Sequence, residues 1–109
     1  MSAHILVLTT VASEEEGLRI GRELVTRRLA ACVNITPPVR SIYRWQGELQ
    51  DDSERMLLIK TVRESFERLR EAIASLHSYE LPEVIALPIE LGDENYLNWL
   101  SANAEPVAE

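Results

Sequence analysis

The chain has 109 residues, 18 of them acidic and 11 basic, which gives a formal net charge of −7. This length fits a single domain over residues 1–109, and the negative surface repels nucleic-acid phosphates and anionic lipids. The apolar runs fall short of the roughly 20 residues that cross a bilayer. The one cysteine, Cys32, excludes an intrachain disulfide and fits a reducing compartment. We therefore predict a cytoplasmic domain without a membrane segment or a nucleic-acid partner.

The first third of the chain predicts a buried strand followed by a helix. Residues 5–11 are apolar and rich in β-branched side chains, as in a core strand. Ser13 and Glu16 have the spacing of a capping box, with Ser13 as the N-cap of the helix. The core face of that helix is predicted from residues at helical spacing, namely Leu18, Gly21, Val25 and Leu29. We expect Gly21 to let the helix approach the sheet closely.

A long hairpin is predicted next. Residues 32–35 form a strand pattern that a proline pair at 37–38 interrupts, which implies a sheet edge or a bend. Residues 39–60 are typical of one hairpin, with a polar connection at 46–52. Its far half carries Tyr43 and Trp45, large aromatic residues that a small lone domain would not leave exposed. We predict that these two residues lie at an interface between subunits.

The second half of the chain predicts a helix, a strand and a last helix. One helix face is predicted from residues spaced by about one turn, namely Phe66, Leu69, Ile73 and Leu76. Residues 83–90 are mostly apolar and predict a core strand, and Asp93 is the expected cap of the last helix. Residues 103–109 predict a frayed tail. The order of elements, with right-handed crossovers, predicts an α+β ferredoxin-like split βαβ sandwich.

The stretch 77–83 is the first candidate for a functional site. It places an imidazole, a phenol and two carboxylates directly ahead of the last predicted strand, on His77, Tyr79, Glu80 and Glu83. Pro82 disfavours helical angles at the preceding residue, so we expect these side chains on a turn beside a sheet edge. His77 also follows a predicted helix end, where it would complement the helix dipole. A structural role and a site role are equally supported.

Cys32 and Lys60 are the other side chains with chemical potential. Cys32 lies among apolar residues and is more simply a small buried hydrophobe than a thiol paired with His77. Lys60 ends a buried strand, where its charge needs a carboxylate such as Glu54 or Glu83. A ligand anion would also satisfy this charge, and escape of the ammonium to solvent at the strand end is the slightly simpler interpretation.

The sequence gives little sign of catalysis. It contains no glycine-rich phosphate loop, no clustered metal-ligand spacing and no nucleophile elbow. Tyr96 and Trp99 on the last helix, like the aromatic residues of the hairpin, are more simply packing or interface anchors than ligand platforms. We predict a binding protein and not an enzyme.

Several motifs together resemble one known family. These motifs are Ala31-Cys32-Val33-Asn34-Ile35, Ser41-Ile42-Tyr43-Arg44-Trp45-Gln46-Gly47, Glu54, Lys60-Thr61, His77-x-Tyr79-x-x-Pro82-Glu83 and Tyr96-Leu97-x-Trp99. Through them the chain closely resembles, from about residue 5 to 101, the CutA divalent-cation tolerance family. Their order and spacing match throughout, which makes the resemblance highly specific.

The resemblance implies a tight homotrimer, similar in architecture to PII signalling proteins, in which the long hairpin pairs with neighbouring subunits. It also implies tolerance of copper and other divalent cations, with Cu(II) or another divalent ion bound through Cys32 and His77. A soft thiolate and an imidazole suit copper, and Glu83 or a neighbouring subunit would complete the ligand set. The chain departs from some relatives at Thr9, where those relatives carry a second cysteine.

A second hypothesis is a PII-like interaction module that binds a small anionic effector in clefts between subunits. Pockets often form between packed units. Lys60 would attract the anion, and aromatic side chains would form the walls. The residues predicted for this site are Lys60, Glu54, Tyr79, Tyr96 and Trp99.

Overall fold

The computed structural model describes residues 3–104. In that range the chain forms five strands, three α-helices and one short 3-10 helix. In chain order the elements are β1 His4–Val11, α1 Glu14–Thr26, β2 Cys32–Ile35, β3 Val39–Trp45, β4 Glu48–Val62, a 3-10 helix Arg63–Ser65, α2 Phe66–Leu76, β5 Ile85–Pro88 and α3 Glu94–Ala104. Within these residues no helix is both long and apolar enough to span a membrane.

The strands form one antiparallel sheet in the order β2-β4-β1-β5, and β3 pairs with the first half of β4. Strands β2 and β3 thus lie in succession along β4 and act as one strand broken by the proline pair at 37–38. This is the strand order of a split βαβ fold, because β4 lies between β1 and β2. The predicted α+β ferredoxin-like architecture is confirmed.

A two-residue turn connects β3 to β4. Gln46 and Gly47 have φ angles of 51° and 81°, the positive values that a type I′ hairpin turn needs. Such a turn matches the twist of the strands, so the pairing continues to its very end, with Trp45 opposite Glu48. The predicted polar connection over 46–52 is therefore too long, since β4 begins at Glu48 and runs for 15 residues.

Helices α1 and α2 pack on one face of the sheet and form the main core. The buried residues of this core come from β1, α1, β4 and α2 and include Ile5, Val7, Val11, Ile20, Leu24, Leu57, Ile59, Leu69, Ala72 and Ile73. The predicted core face of α2 is confirmed at Leu69 and Ile73, which are fully buried.

The predicted core face of α1 is wrong at Leu18 and Val25, which are 38% and 41% exposed. It is confirmed at Gly21 and at Leu29, which follows the helix. The buried side of the helix is formed by Glu16, Gly17, Ile20, Gly21 and Leu24. The reason is the close approach of helix and sheet. A Cβ atom on Gly17 would lie 3.2 Å from Leu57, and one on Gly21 would lie 3.3 Å from Val33. The expected role of Gly21 is thus confirmed.

The last strand is not the buried strand predicted over 83–90. It covers only Ile85–Pro88, and all four residues are exposed. It lies at the edge of the sheet with hydrogen bonds to β1 alone within the described chain. Pro88, which has no backbone N–H to donate, is tolerated at such an edge.

Helix α3 extends further than predicted. Asp93 caps it as expected, since its Oδ2 accepts a hydrogen bond from the Tyr96 backbone N–H at 3.1 Å. The predicted frayed tail 103–109 is wrong at 103–104, because Ala104 is helical and fully buried. Its carbonyl accepts a hydrogen bond from the Ser65 hydroxyl at 2.8 Å. Residues 105–109 lie outside the described residues.

One face of the sheet carries no α1 or α2, and we call it the open face. By strand register its side chains are those of Cys32 and Asn34 on β2, Met56, Leu58 and Lys60 on β4, Leu6, Leu8 and Thr10 on β1, and Ile85 and Leu87 on β5. Helix α3 covers only one end of it, where Leu100 packs with Val62 and Ala31. Most of the open face is apolar and only partly buried.

Candidate functional site

His77 caps the C-terminal end of α2, and its side chain is completely buried. The backbone N–H of Tyr79 donates a hydrogen bond to Nδ1 of His77 at 3.0 Å. Nδ1 is thus an acceptor, so the ring hydrogen lies on Nε2, which is 2.7 Å from the carbonyl oxygen of Thr10. Both ring nitrogens therefore have a backbone partner, and neither is free to bind a metal ion without losing a hydrogen bond.

Glu16 is the second member of this arrangement. As predicted, Ser13 is the N-cap of α1, since its side-chain oxygen accepts a hydrogen bond from the backbone N–H of Glu16. The carboxylate does not return to the Ser13 N–H, as a capping box would require. Instead Oε1 accepts the N–H of Ala12 at 3.1 Å and Oε2 accepts that of Ser78 at 2.8 Å. Burial raises the pKa of Glu16, but the hydrogen bonds from Ser78 and Ala12 outweigh this effect, so the pKa is lowered.

Tyr79 and Glu54 complete the arrangement. The Tyr79 hydroxyl donates to Oε2 of Glu54 at 2.8 Å, and its ring lies 4.6 Å from the His77 ring. Burial and the Glu54 carboxylate both raise the pKa of Tyr79, which keeps the phenol protonated as a donor. We call Glu16, Glu54, His77 and Tyr79 the His77 network. It connects the loop after α2 to β1, α1 and β4. The hydrogen bonds of the network all join residues of this chain.

The predicted metal ligands do not come together in one chain. Cys32 lies opposite Lys60, whereas Thr10, the partner of His77, lies opposite Met56. The two positions are four residues apart along β4, which corresponds to about 13 Å. Glu83 is exposed in the following loop. Throughout residues 3–104, no three His, Cys, Asp or Glu side chains cluster in a way that could hold a metal ion. The predicted ligands are therefore apart from one another in a single chain, and the ligand set stays a prediction.

The predicted effector residues divide into two groups. Glu54 and Tyr79 bond to each other in the His77 network, and Glu54 is six residues from Lys60 along β4, about 20 Å. Glu54 is thus not the ion-pair partner of Lys60.

Lys60, Tyr96 and Trp99 form the other group, which we call the Lys60 cluster. Nζ of Lys60 lies 5.7 Å from the centroid of the Tyr96 ring. The rings of Tyr96 and Trp99 lie 5.5 Å apart at an interplanar angle of 35°. Among residues 3–104 Lys60 forms no ion pair, so the cation–π contact is the one electrostatic interaction found there for its ammonium.

The hairpin keeps its aromatic side chains partly exposed. Tyr43 is 41% and Trp45 37% exposed, and by strand register they share one face of the hairpin. The Tyr43 hydroxyl donates to Asp52 across the hairpin. Ile42 and Leu49 are 66% and 72% exposed and lie on the opposite face. Both faces of the hairpin therefore carry exposed apolar side chains.

The role of Glu16 in joining α1 to the loop after α2 does not follow from the sequence. The local signal was present, because a carboxylate three residues after Ser13 predicts a capping interaction. The partner Ser78 lies 62 residues away, and no local pattern indicates that pairing.

The comparison with known proteins agrees with this architecture. A family profile described as CutA1 divalent ion tolerance protein matches residues 5–103. The chain belongs to the CutA1 divalent ion tolerance family. It is 52% identical over 98 residues to the divalent-cation tolerance protein CutA of Thermus thermophilus, which covers 90% of this chain and 95% of that protein. It is 47% identical over 96 residues to the chloroplastic CutA of Arabidopsis thaliana, covering 88% of this chain and 53% of that relative.

Solved CutA structures have the same fold. The divalent cation tolerance protein from Thermus thermophilus matches with a TM-score of 0.91 and 50% identity, over 94% of this chain and 99% of that one. A protein described as periplasmic CutA from Archaeoglobus fulgidus matches with a TM-score of 0.90 and 36% identity, over 94% of this chain and 99% of that one. The CutA fold thus extends over nearly all of the described chain.

Proposed function

We propose that this CutA-family protein acts in divalent-cation tolerance as a PII-like homotrimeric binding protein that takes up a small anionic effector at the Lys60 cluster. The observation that carries the proposal is the ammonium of Lys60, which has no ion-pair partner within residues 3–104 and extends from a mainly apolar part of the open face. Placing a charge in apolar surroundings costs free energy unless an anion pairs with it. Binding and not catalysis is the proposed activity.

The test of this proposal is the substitution Lys60→Met, which keeps an unbranched apolar stem and removes the charge. We expect anionic metabolites that raise the melting temperature of the wild-type protein to lose that effect in Lys60→Met. Lys60→Arg, which keeps the charge, should retain part of it. A thermal-shift screen of a metabolite panel on the three proteins measures this. The same stabilisation in Lys60→Met and wild type would contradict the proposal.

The trimer itself is proposed from two apolar surfaces, the open face and the hairpin. Ile85 and Leu87 of the edge strand are 52% and 45% exposed, and the Lys60 cluster adjoins them on the open face. A 109-residue chain gains from covering such surfaces by association. The aromatic residues of the hairpin provide the second contact in this proposal.

We expect Trp45→Ala to lower the stability of the trimer without unfolding the subunit. Trp45 is a partly exposed aromatic of the kind that anchors interfaces, where truncation typically costs about 2 kcal/mol or more. Native mass spectrometry against protein concentration would measure the dissociation midpoint. Arg44→Ala, an exposed neighbour on the same strand, is the control and should change it little. An unchanged dissociation midpoint in Trp45→Ala would mean that the hairpin does not form the contact between subunits.

Direct binding of Cu(II) or another divalent cation is the second candidate. The observation in its favour is Cys32, a free and partly exposed thiol on the open face, since thiolates are good ligands for copper. Ligands from a neighbouring subunit would then complete the site. Copper binding by wild type, Cys32→Ser and His77→Ala tests this candidate. The proposed location is the cytoplasm, although relatives named as chloroplastic and periplasmic exist.

A further inference from the structure

We propose that the ligand of the Lys60 cluster is a small carboxylic acid with one negative charge and an aromatic ring. This inference rests on the effector site proposed above and names its ligand class. Three features of the cluster carry it, namely the charge it offers, the aromatic surface beside that charge and the kind of cation used.

The charge at the cluster suits a single anionic group. On the open face the residues opposite Lys60 are Cys32 on β2 and Leu6 on β1, and Leu6 is in turn opposite Leu87 on β5. Neither a second cation nor a carboxylate stands in this row of the described sheet. One ammonium can neutralise one carboxylate, whereas a nucleoside polyphosphate needs several cations. The net charge of −7 also repels a polyphosphate more strongly than a single carboxylate.

The surface beside the ammonium suits an aromatic ring. Tyr96 and Trp99 are 41% and 45% exposed although both are large aromatic residues, and they lie side by side at 5.5 Å. A ring placed against these side chains would remove apolar surface from water and could stack in an offset or edge-to-face manner. Its carboxylate would then reach Nζ of Lys60.

The identity of the cation also favours a small carboxylate with an aromatic ring. The chain has ten arginines and a single lysine, and that lysine is Lys60. An arginine presents a planar fork that favours bidentate phosphate or carboxylate pairs, whereas a lysine is a compact point charge. A compact ammonium leaves room for the body of a ligand over the neighbouring rings. The guanidinium of an arginine would itself stack on those rings and take up part of that space, so Lys60→Arg should bind the ligand more weakly than wild type.

The single lysine also permits a direct measurement. Reductive methylation with ¹³C-formaldehyde keeps the charge of the amine and labels Lys60 and the amino terminus. The Lys60 signal in a ¹H–¹³C spectrum then reports on this site in the assembled protein. The probes are phenylacetate, its uncharged analogue phenylacetamide, acetate, which lacks the ring, and ATP. Calorimetry on unlabelled wild type, Lys60→Met and Trp99→Ala measures affinity.

We expect phenylacetate to shift the Lys60 signal saturably, with affinity at least about tenfold higher than that of phenylacetamide or acetate. Lys60→Met and Trp99→Ala should each weaken it by about tenfold. If ATP binds through Lys60 and phenylacetate does not, the effector site stands and the ligand class is overturned. If no probe shifts the signal and Lys60→Met lowers trimer stability, Lys60 forms a contact between subunits. That result would contradict both the effector site and the proposed ligand class. An unmoved signal with an unchanged trimer likewise overturns both.

Discussion

Replacing His77 by alanine is expected to lower the free energy of unfolding by about 3 kcal/mol. The substitution removes a completely buried ring and leaves the Thr10 carbonyl and the Tyr79 N–H without their partner. It also removes the ring that packs against Tyr79. Urea denaturation of both proteins, followed by circular dichroism, measures the difference.

The control for this experiment is His4→Ala, the other histidine of the chain. Its Nε2 lies 2.8 Å from the Ser101 hydroxyl in a partly buried position, so a smaller loss is expected. Copper binding to the folded variants provides the second measurement. Because both nitrogens of His77 have hydrogen-bond partners, we expect the copper affinity to be unchanged in His77→Ala and reduced in Cys32→Ser. A loss of about tenfold in affinity for His77→Ala, with little loss of stability, would instead make His77 a ligand.

Replacing Glu16 by glutamine is expected to cost about 2 kcal/mol of unfolding free energy at neutral pH. The amide keeps one acceptor oxygen for Ala12 or Ser78 and turns an NH2 donor toward the other N–H. One buried backbone donor therefore loses its partner. Chemical denaturation at pH 7 measures this loss. Glu15→Gln is the matched control, since Glu15 is exposed in the same helical turn and should change stability little.

The effect of Glu16 should depend on pH with a defined sign. Because the folded protein lowers the pKa of this carboxyl below its ordinary value of 4.5, its contribution to stability is complete above that value. The contribution is lost as the pH falls through the lower pKa of the folded state. The difference in stability between wild type and Glu16→Gln should therefore shrink below pH 4.5. A difference that stays constant from pH 7 into this acid range would contradict the role of the ionised carboxylate.

Local signals indicate which side chains meet within one segment, but not which distant side chains they meet. Several polar side chains precede Pro82 in the stretch 77–83, and His77 and Tyr79 do contact each other there. The structure separates Tyr79 and Glu54 from Lys60, because these two residues bond to each other about 20 Å along β4 from Lys60. Residue type alone predicts that a polar group needs a partner, but not which one.

The sequence by itself determined the elements and their order. Ser13 and Asp93 cap their helices through bonds spanning three residues, and the proline pair at 37–38 separates β2 from β3. These signals are local, so they need no knowledge of the rest of the fold. The tertiary structure decided the rotation of α1, where glycines permit closer packing than leucine or valine side chains would. It also decided that Glu16 bonds Ser78, because that pairing exists only once the fold brings two distant segments together.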